Sequence, residues 1–154
     1  MKILQSALFL FVGLMSIANA ADITIFYSPS CPHCHHARDF FKNELIYEYD
    51  DLKITEINAT IADNRQDFID ALNKCKYKSG GVPVMVVGDE CFQGYGDSLR
   101  DVIRASVESD LTDAQKKSAE LNRQEMAKDK DAFVSAHSDR LNAIVSGDKG
   151  VKKN

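Results

Sequence analysis

The stretch from Ile23 to Phe41 constrains the fold most. "ITIFY" (Ile23 to Tyr27) is β-branched and aromatic and reads as a buried strand. Ser28-Pro29-Ser30 breaks it, and Cys31-Pro32-His33-Cys34 follows at the start of a helix. In that helix Ala37, Phe40, Phe41 and Leu45 share one face, while His36, Arg38, Lys42 and Asn43 turn largely away. Two cysteines two residues apart, between a strand and a helix, suit a redox pair, a metal site or a local bridge. The remaining chain has to decide among them.

The order of elements narrows the choice. "LKITEINA" (Leu52 to Ala59) reads as a second strand. "DNRQDFIDALNKCKY" reads as a second helix, with Phe68, Leu72 and Cys75 on one stripe. The loop Lys78-Ser79-Gly80-Gly81 leads to a third strand, "VPVMVV" (Val82 to Val87). Gly88-Asp89 is a two-residue hairpin turn into the short strand "ECFQ" (Glu90 to Gln93). "DSLRDVIRASVE" (Asp97 to Glu108) is a helix with Leu99, Val102, Ile103 and Val107 inward. A βαβ unit requires parallel strands joined by a right-handed crossover. The last two strands form an antiparallel pair. The expectation is an α/β domain with a four-stranded mixed sheet and helices on both faces.

The amino terminus bears on compartment. Met1-Lys2, an apolar run from Ile3 to Ile17 and Ala18-Asn19-Ala20 have the layout of a secretory signal peptide cut after Ala20. Without Lys2, 18 basic residues face 23 acidic ones, a net charge of −5. With no basic stripe, nucleic acid is not an expected partner. Export implies an oxidising compartment in which thiols pair, and the short basic start suits a bacterial periplasm. The expected divisions are 1–20 signal peptide, 21–108 folded domain, 109–146 charged helical extension and 147–154 disordered tail.

Strand, Cys31-Pro32-His33-Cys34, helix, and later Gly80-Gly81-Val82-Pro83 opening a strand together resemble the thioredoxin fold, over about Asp22 to Glu108. The compact length, the hairpin and "GYGD" (Gly94 to Asp97) resemble glutaredoxins. The Pro-His dipeptide and the valine before the proline resemble the periplasmic oxidase DsbA, without its large helical insertion. The resemblance implies a cis-proline loop at Pro83 facing the cysteine pair. It also implies pairing of the Val82 backbone with an extended substrate chain. It further implies an oxidising potential for the Pro-His dipeptide.

The chemistry expected of this motif follows from its place at a helix start. There Cys31 meets free N–H groups and the positive end of the helix dipole, so its thiol should be acidic and nucleophilic. Cys34, one turn on, can close a disulfide or resolve a mixed one. Pro32 fits the first turn, and His33 can add positive charge near the Cys31 sulfur. The expected function is a periplasmic thiol-disulfide oxidoreductase, in the oxidising direction. It needs no cofactor; its partners are exported proteins bearing thiols or disulfides and a membrane redox partner that recycles the pair. Glutathione is the disfavoured small partner: in glutaredoxins a Gly-Gly and an aspartate hold its carboxylate, and here Gly94 is followed by Tyr95 before Asp97. The alternatives are a reductase or isomerase of the same fold, a copper or zinc carrier using Cys31, Cys34 and His33, His35 or His36, and a redox-inert binding module.

Two features lie outside the motif. Cys75, at the end of the second helix, and Cys91, just past the hairpin turn, can meet at the far end of the sheet as a structural disulfide, or stay as two buried thiols. Beyond Ser109, Thr112 and Gln115 suit a capping box, and "AKDKD" (Ala127 to Asp131) suits a break. Phe133, His137, Leu141 and Ile144 form a narrow apolar stripe. The favoured expectation is that this extension packs back on the domain; a dimerisation or client-docking arm is the other.

Overall fold

A computed structural model describes residues 20–150; the expected signal peptide, but for Ala20, and the last four residues of the expected tail lie outside the described residues. One mixed sheet organises the chain, in the order β4-β3-β1-β2-β5. Its strands are β1 (Ile23–Tyr27), β2 (Ile54–Asn58), β3 (Val84–Val87), β4 (Glu90–Gln93) and β5 (Ile144–Ser146). β1 and β2 are parallel, with Ile23 opposite Ile54. β3 is antiparallel to both β1 and β4. The four strands β4-β3-β1-β2 and the helices between them have the thioredoxin-like arrangement that the motifs imply.

Strand alternation sorts the core into two layers. Ile23, Ile25, Ile54, Met85 and Val87 point to one face. There they meet α1 (Pro32–Phe40), α4 (Arg100–Val107) and α5 (Asp113–Lys128). Phe26, Ile57 and Val84 point to the other and pack with Ala71, Phe68 and Leu72 of α3 (Arg65–Lys74). The first helix does not run on evenly. A π-helical segment, Phe41–Leu45, links α1 to the short α2 (Ile46–Glu48). The change of pitch lets Phe40, Phe41, Leu45, Ile46 and Tyr47 all bury at once. On α4, Ile103 and Val107 face inward as expected, but Val102 is 46% exposed.

The carboxyl-terminal segment differs most from expectation. It does pack back: Ala119 and Met126 are buried in the main core, and Phe133, Val134, Leu141 and Ile144 lie against it. The capping box of Thr112 and Gln115 opens α5. Asp129 then breaks the helix and caps α6 (Lys130–Ala136). The extension is not helical to residue 146, however. It ends in β5, which adds parallel to β2 with Ile144 opposite Ile54. The sheet therefore has five strands rather than four. Nor is the tail disordered from residue 147: Gly147 N donates to Glu56 O at 2.9 Å. Asp148 Oδ1 accepts from Asn58 N and from the side chain of the fully buried Asn64 at 2.7 and 2.8 Å. Lys149 N donates to Asn64 Oδ1. The physical reason is that β2 has unpaired backbone groups on its outer edge, and such edges are covered where chain is available.

Candidate active site

The site forms where β1 ends. Ser28 to Ser30 turn the chain, and Cys31 becomes the N-cap of α1, in extended conformation, with Pro32 at the first helical position. A capping side chain accepts from the first turn, and here the acceptor is sulfur: Cys34 N donates to Cys31 Sγ at 3.2 Å. Cys31 and Cys34 are joined by a disulfide, their Cα atoms 5.2 Å apart. The two sulfurs are not equivalent. Cys31 is partly exposed, whereas Cys34, on the buried face of α1, is 1% exposed. An incoming group can therefore reach Cys31 first.

The second wall comes from the loop before β3. The Val82–Pro83 peptide is cis, and Val82 O lies 3.5 Å from Cys31 Sγ. Pro83 itself is buried. The structure thus brings together Cys31, Cys34, Pro32, Val82 and Pro83. Gly94 joins this edge, its N–H donating to Pro83 O at 2.8 Å, with a φ of 80° that suits glycine. Asp97 is exposed, and its carboxylate is engaged by Arg100 at 3.2 Å. His33 is exposed and makes no hydrogen bond among the described residues. Cys75 and Cys91 are bonded to each other, Cα atoms 5.7 Å apart, on the α3 side of the sheet.

Sequence reasoning missed several supports. His35 Nε2 lies 2.7 Å from Pro29 O, tying the first turn back to the loop that precedes Cys31. The histidine is thereby turned to the backbone. Among the described residues no three His, Cys, Asp or Glu side chains are grouped to hold a metal ion. Arg38, one turn after Cys34, makes a two-pronged bond to Glu56 of β2 at 2.9 and 2.7 Å. Its guanidinium also lies 4.2 Å from the centre of the Tyr27 ring. The hydrogen bond to Glu56 holds Arg38 firmly protonated, above the usual arginine range, while burial pushes the Tyr27 hydroxyl up. This cluster fixes α1 against the end of β1 that carries the motif. A polar Glu56 within a strand, four residues after Leu52, was its only signal in sequence. Gln93 of β4 was also missed: its amide donates to Ser79 O and Gly81 O at 2.8 and 3.0 Å.

No protein-family description matches the chain, and no curated protein matches it. Among solved structures it is similar to a glutaredoxin from Archaeoglobus fulgidus, at 27% identity over 55% of this chain and 87% of that one, with a TM-score of 0.41.

Proposed function

We propose that this chain is a thiol-disulfide oxidoreductase that exchanges disulfides with exported proteins in the periplasm, in the oxidising direction. One observation carries the reading. Cys31 caps a helix, is partly exposed, is bonded to a buried Cys34 and lies 3.5 Å from the carbonyl of Val82.

The exchange balances as follows. A substrate thiolate attacks Cys31 Sγ; the Cys31–Cys34 bond breaks, and Cys34 leaves as a thiolate that takes a proton. The substrate's second thiolate attacks its own sulfur in the mixed disulfide. A substrate disulfide forms, and Cys31 leaves as a thiolate. Two electrons have passed from substrate to the cysteine pair. The Cys34 N–H and the helix N-terminus favour negative charge on the departing Cys31 sulfur. That stabilises the reduced pair and so drives oxidation of the substrate. An extended substrate strand pairs with the Val82 backbone, which reads main chain and tolerates varied side chains. A membrane redox partner takes the two electrons and restores the disulfide. The export reading rests on the first twenty residues and on Cys75–Cys91, a second disulfide of the kind an oxidising compartment maintains.

Two measurements test this. The reduced protein should exchange rapidly with a small organic disulfide, and Cys31→Ser should abolish the exchange. Its reduction potential should then lie well above that of thioredoxin; a value near roughly −270 mV would reverse the proposed direction.

A further inference from the structure

β4 holds the loop that carries Val82 at two points. Val84 and Val86 point to the α3 face, and their partners across the ladder are Gln93 and Cys91. Cys91 and Gln93 therefore share that face, two residues apart. Cys91 is bonded to Cys75, where α3 ends and the loop begins. Gln93 reaches the other end of the same loop, its single amide nitrogen donating to both Ser79 O and Gly81 O. The next residue in the chain is Val82, whose carbonyl faces Cys31 Sγ. Gly80 and Gly81 are both exposed, and glycine backbone does not hold one conformation unaided. Both anchors thus lie on one strand, and together they span residues 75 to 81.

We propose that Gln93 and the Cys75–Cys91 bridge are positioning groups for the substrate: they set the Val82 backbone to receive an extended disulfide-bearing or dithiol peptide. This rests on the exchange reading above and adds a division of labour. The Cys31–Cys34 pair carries the chemistry. The face of β4 toward α3 sets affinity for polypeptide substrates over small ones. Reduction of Cys75–Cys91 then weakens peptide exchange without touching the reactive pair.

The experiment compares two substrates by rapid mixing of the reduced active-site pair with excess disulfide. One is a small organic disulfide; the other is an extended peptide with an internal disulfide. The proteins are wild type, Gln93→Met, Gln93→Glu and the double variant Cys75→Ser/Cys91→Ser. Gln93→Met keeps the length and removes the donor; Gln93→Glu sets a carboxylate against two carbonyl oxygens. In the Gln93 variants the half-saturating peptide concentration should rise about tenfold, the equivalent of one to two lost hydrogen bonds, with Glu worse than Met, and it should rise in Cys75→Ser/Cys91→Ser as well. The limiting rate and the small-disulfide rate should stay within about twofold, since neither depends on the bonds removed. Parallel losses on both substrates, or unchanged peptide saturation in the Gln93 variants or in Cys75→Ser/Cys91→Ser, would overturn the positioning role of the group altered while leaving the exchange reading intact. A wild-type protein that exchanges with neither substrate overturns both.

Discussion

Arg123 of α5 donates to the Glu48 carboxylate at 3.1 Å, across 75 residues of sequence. Glu48 is 1% exposed at the end of α2. Arg104 of α4 grips the same carboxylate from the other side, with bonds of 2.7 and 2.8 Å. Arg123 also reaches Glu108 and the Tyr49 hydroxyl, at 3.2 and 3.3 Å, and Asn122 donates to Glu48 O. One buried acid thus ties the extension to two elements of the domain. Removing the acid takes their shared acceptor from both guanidinium groups, but Arg104 keeps Glu44 and Asp101 and Arg123 keeps Glu108 and Glu120, so the cost is that of the lost charge-assisted hydrogen bonds, about 2–4 kcal/mol. Glu48→Ala should lose stability on that scale in urea denaturation. Arg123→Ala should lose less, about 1–3 kcal/mol, because Arg104 still satisfies the carboxylate. Equal losses would mean that the carboxylate is not the hub.

The strand at the other end of the extension depends on a glycine. A Cβ on Gly147 would sit 2.7 Å from Thr55 Cγ2 and 2.9 Å from Ile57 Cγ1, both on β2. Gly147→Val should therefore push β5 off the sheet at a cost of about 1–3 kcal/mol. It should also expose the β2 edge, seen as faster amide exchange at Ile54 to Asn58. Asn64→Ala should have the same signature, because it removes one of the two donors to Asp148 and the acceptor of Lys149 N. Unchanged exchange in β2 in both variants would show that β5 does not cover that edge in solution.

Tyr49 predicts the alkaline limit of the fold. Burial, then its hydrogen bond to Glu108 at 2.7 Å, raises its hydroxyl far above the ordinary 10.0. Burial also raises Tyr47 and Tyr95. A raised folded-state value means that the folded chain keeps the proton while the unfolded chain can release it. The stability this lends is full below about pH 10 and falls as pH rises beyond it. Urea midpoints measured from about pH 8 to about pH 11 should fall at the upper end, with a shallower fall in Tyr49→Phe. An unchanged slope in that variant would remove Tyr49 from the account.

How far the sequence could be read depends on the range of the interactions. The β1–Cys31–α1 junction is local: strand composition, a Pro-Ser break and a proline at the first helical position are all within a dozen residues. The hairpin at Gly88 and the capping box at Thr112 are equally local, as is the break at Asp129. Ile144-Val145-Ser146 is three residues long, too short to show alternation, and its strand identity comes from the β2 edge it pairs with. The π-helical segment lets Leu45, Ile46 and Tyr47 bury along with Phe40 and Phe41, and an apolar stripe does not distinguish it from a plain helix. Glu48 reads as an ordinary charged residue, since its partners lie on α4 and α5. Around the site, the cysteines and Val82-Pro83 were legible as a motif. Gln93, His35 and Arg38 were not, because each acts through a contact to backbone or to another strand.

The central claim is that Cys31 is the attacking and attacked sulfur and Cys34 the resolving one. The most direct measurement uses the Cys34→Ser protein, with Cys31 reduced and Cys75–Cys91 intact, mixed with a disulfide-bearing peptide. With the peptide's freed thiol blocked by an alkylating quench, peptide mapping by mass spectrometry should find one covalent adduct, at Cys31, that persists because no Cys34 thiol is there to resolve it, and Cys31→Ser should give none. No adduct in the Cys34→Ser protein, or an adduct mapped to Cys75 or Cys91, would contradict the account.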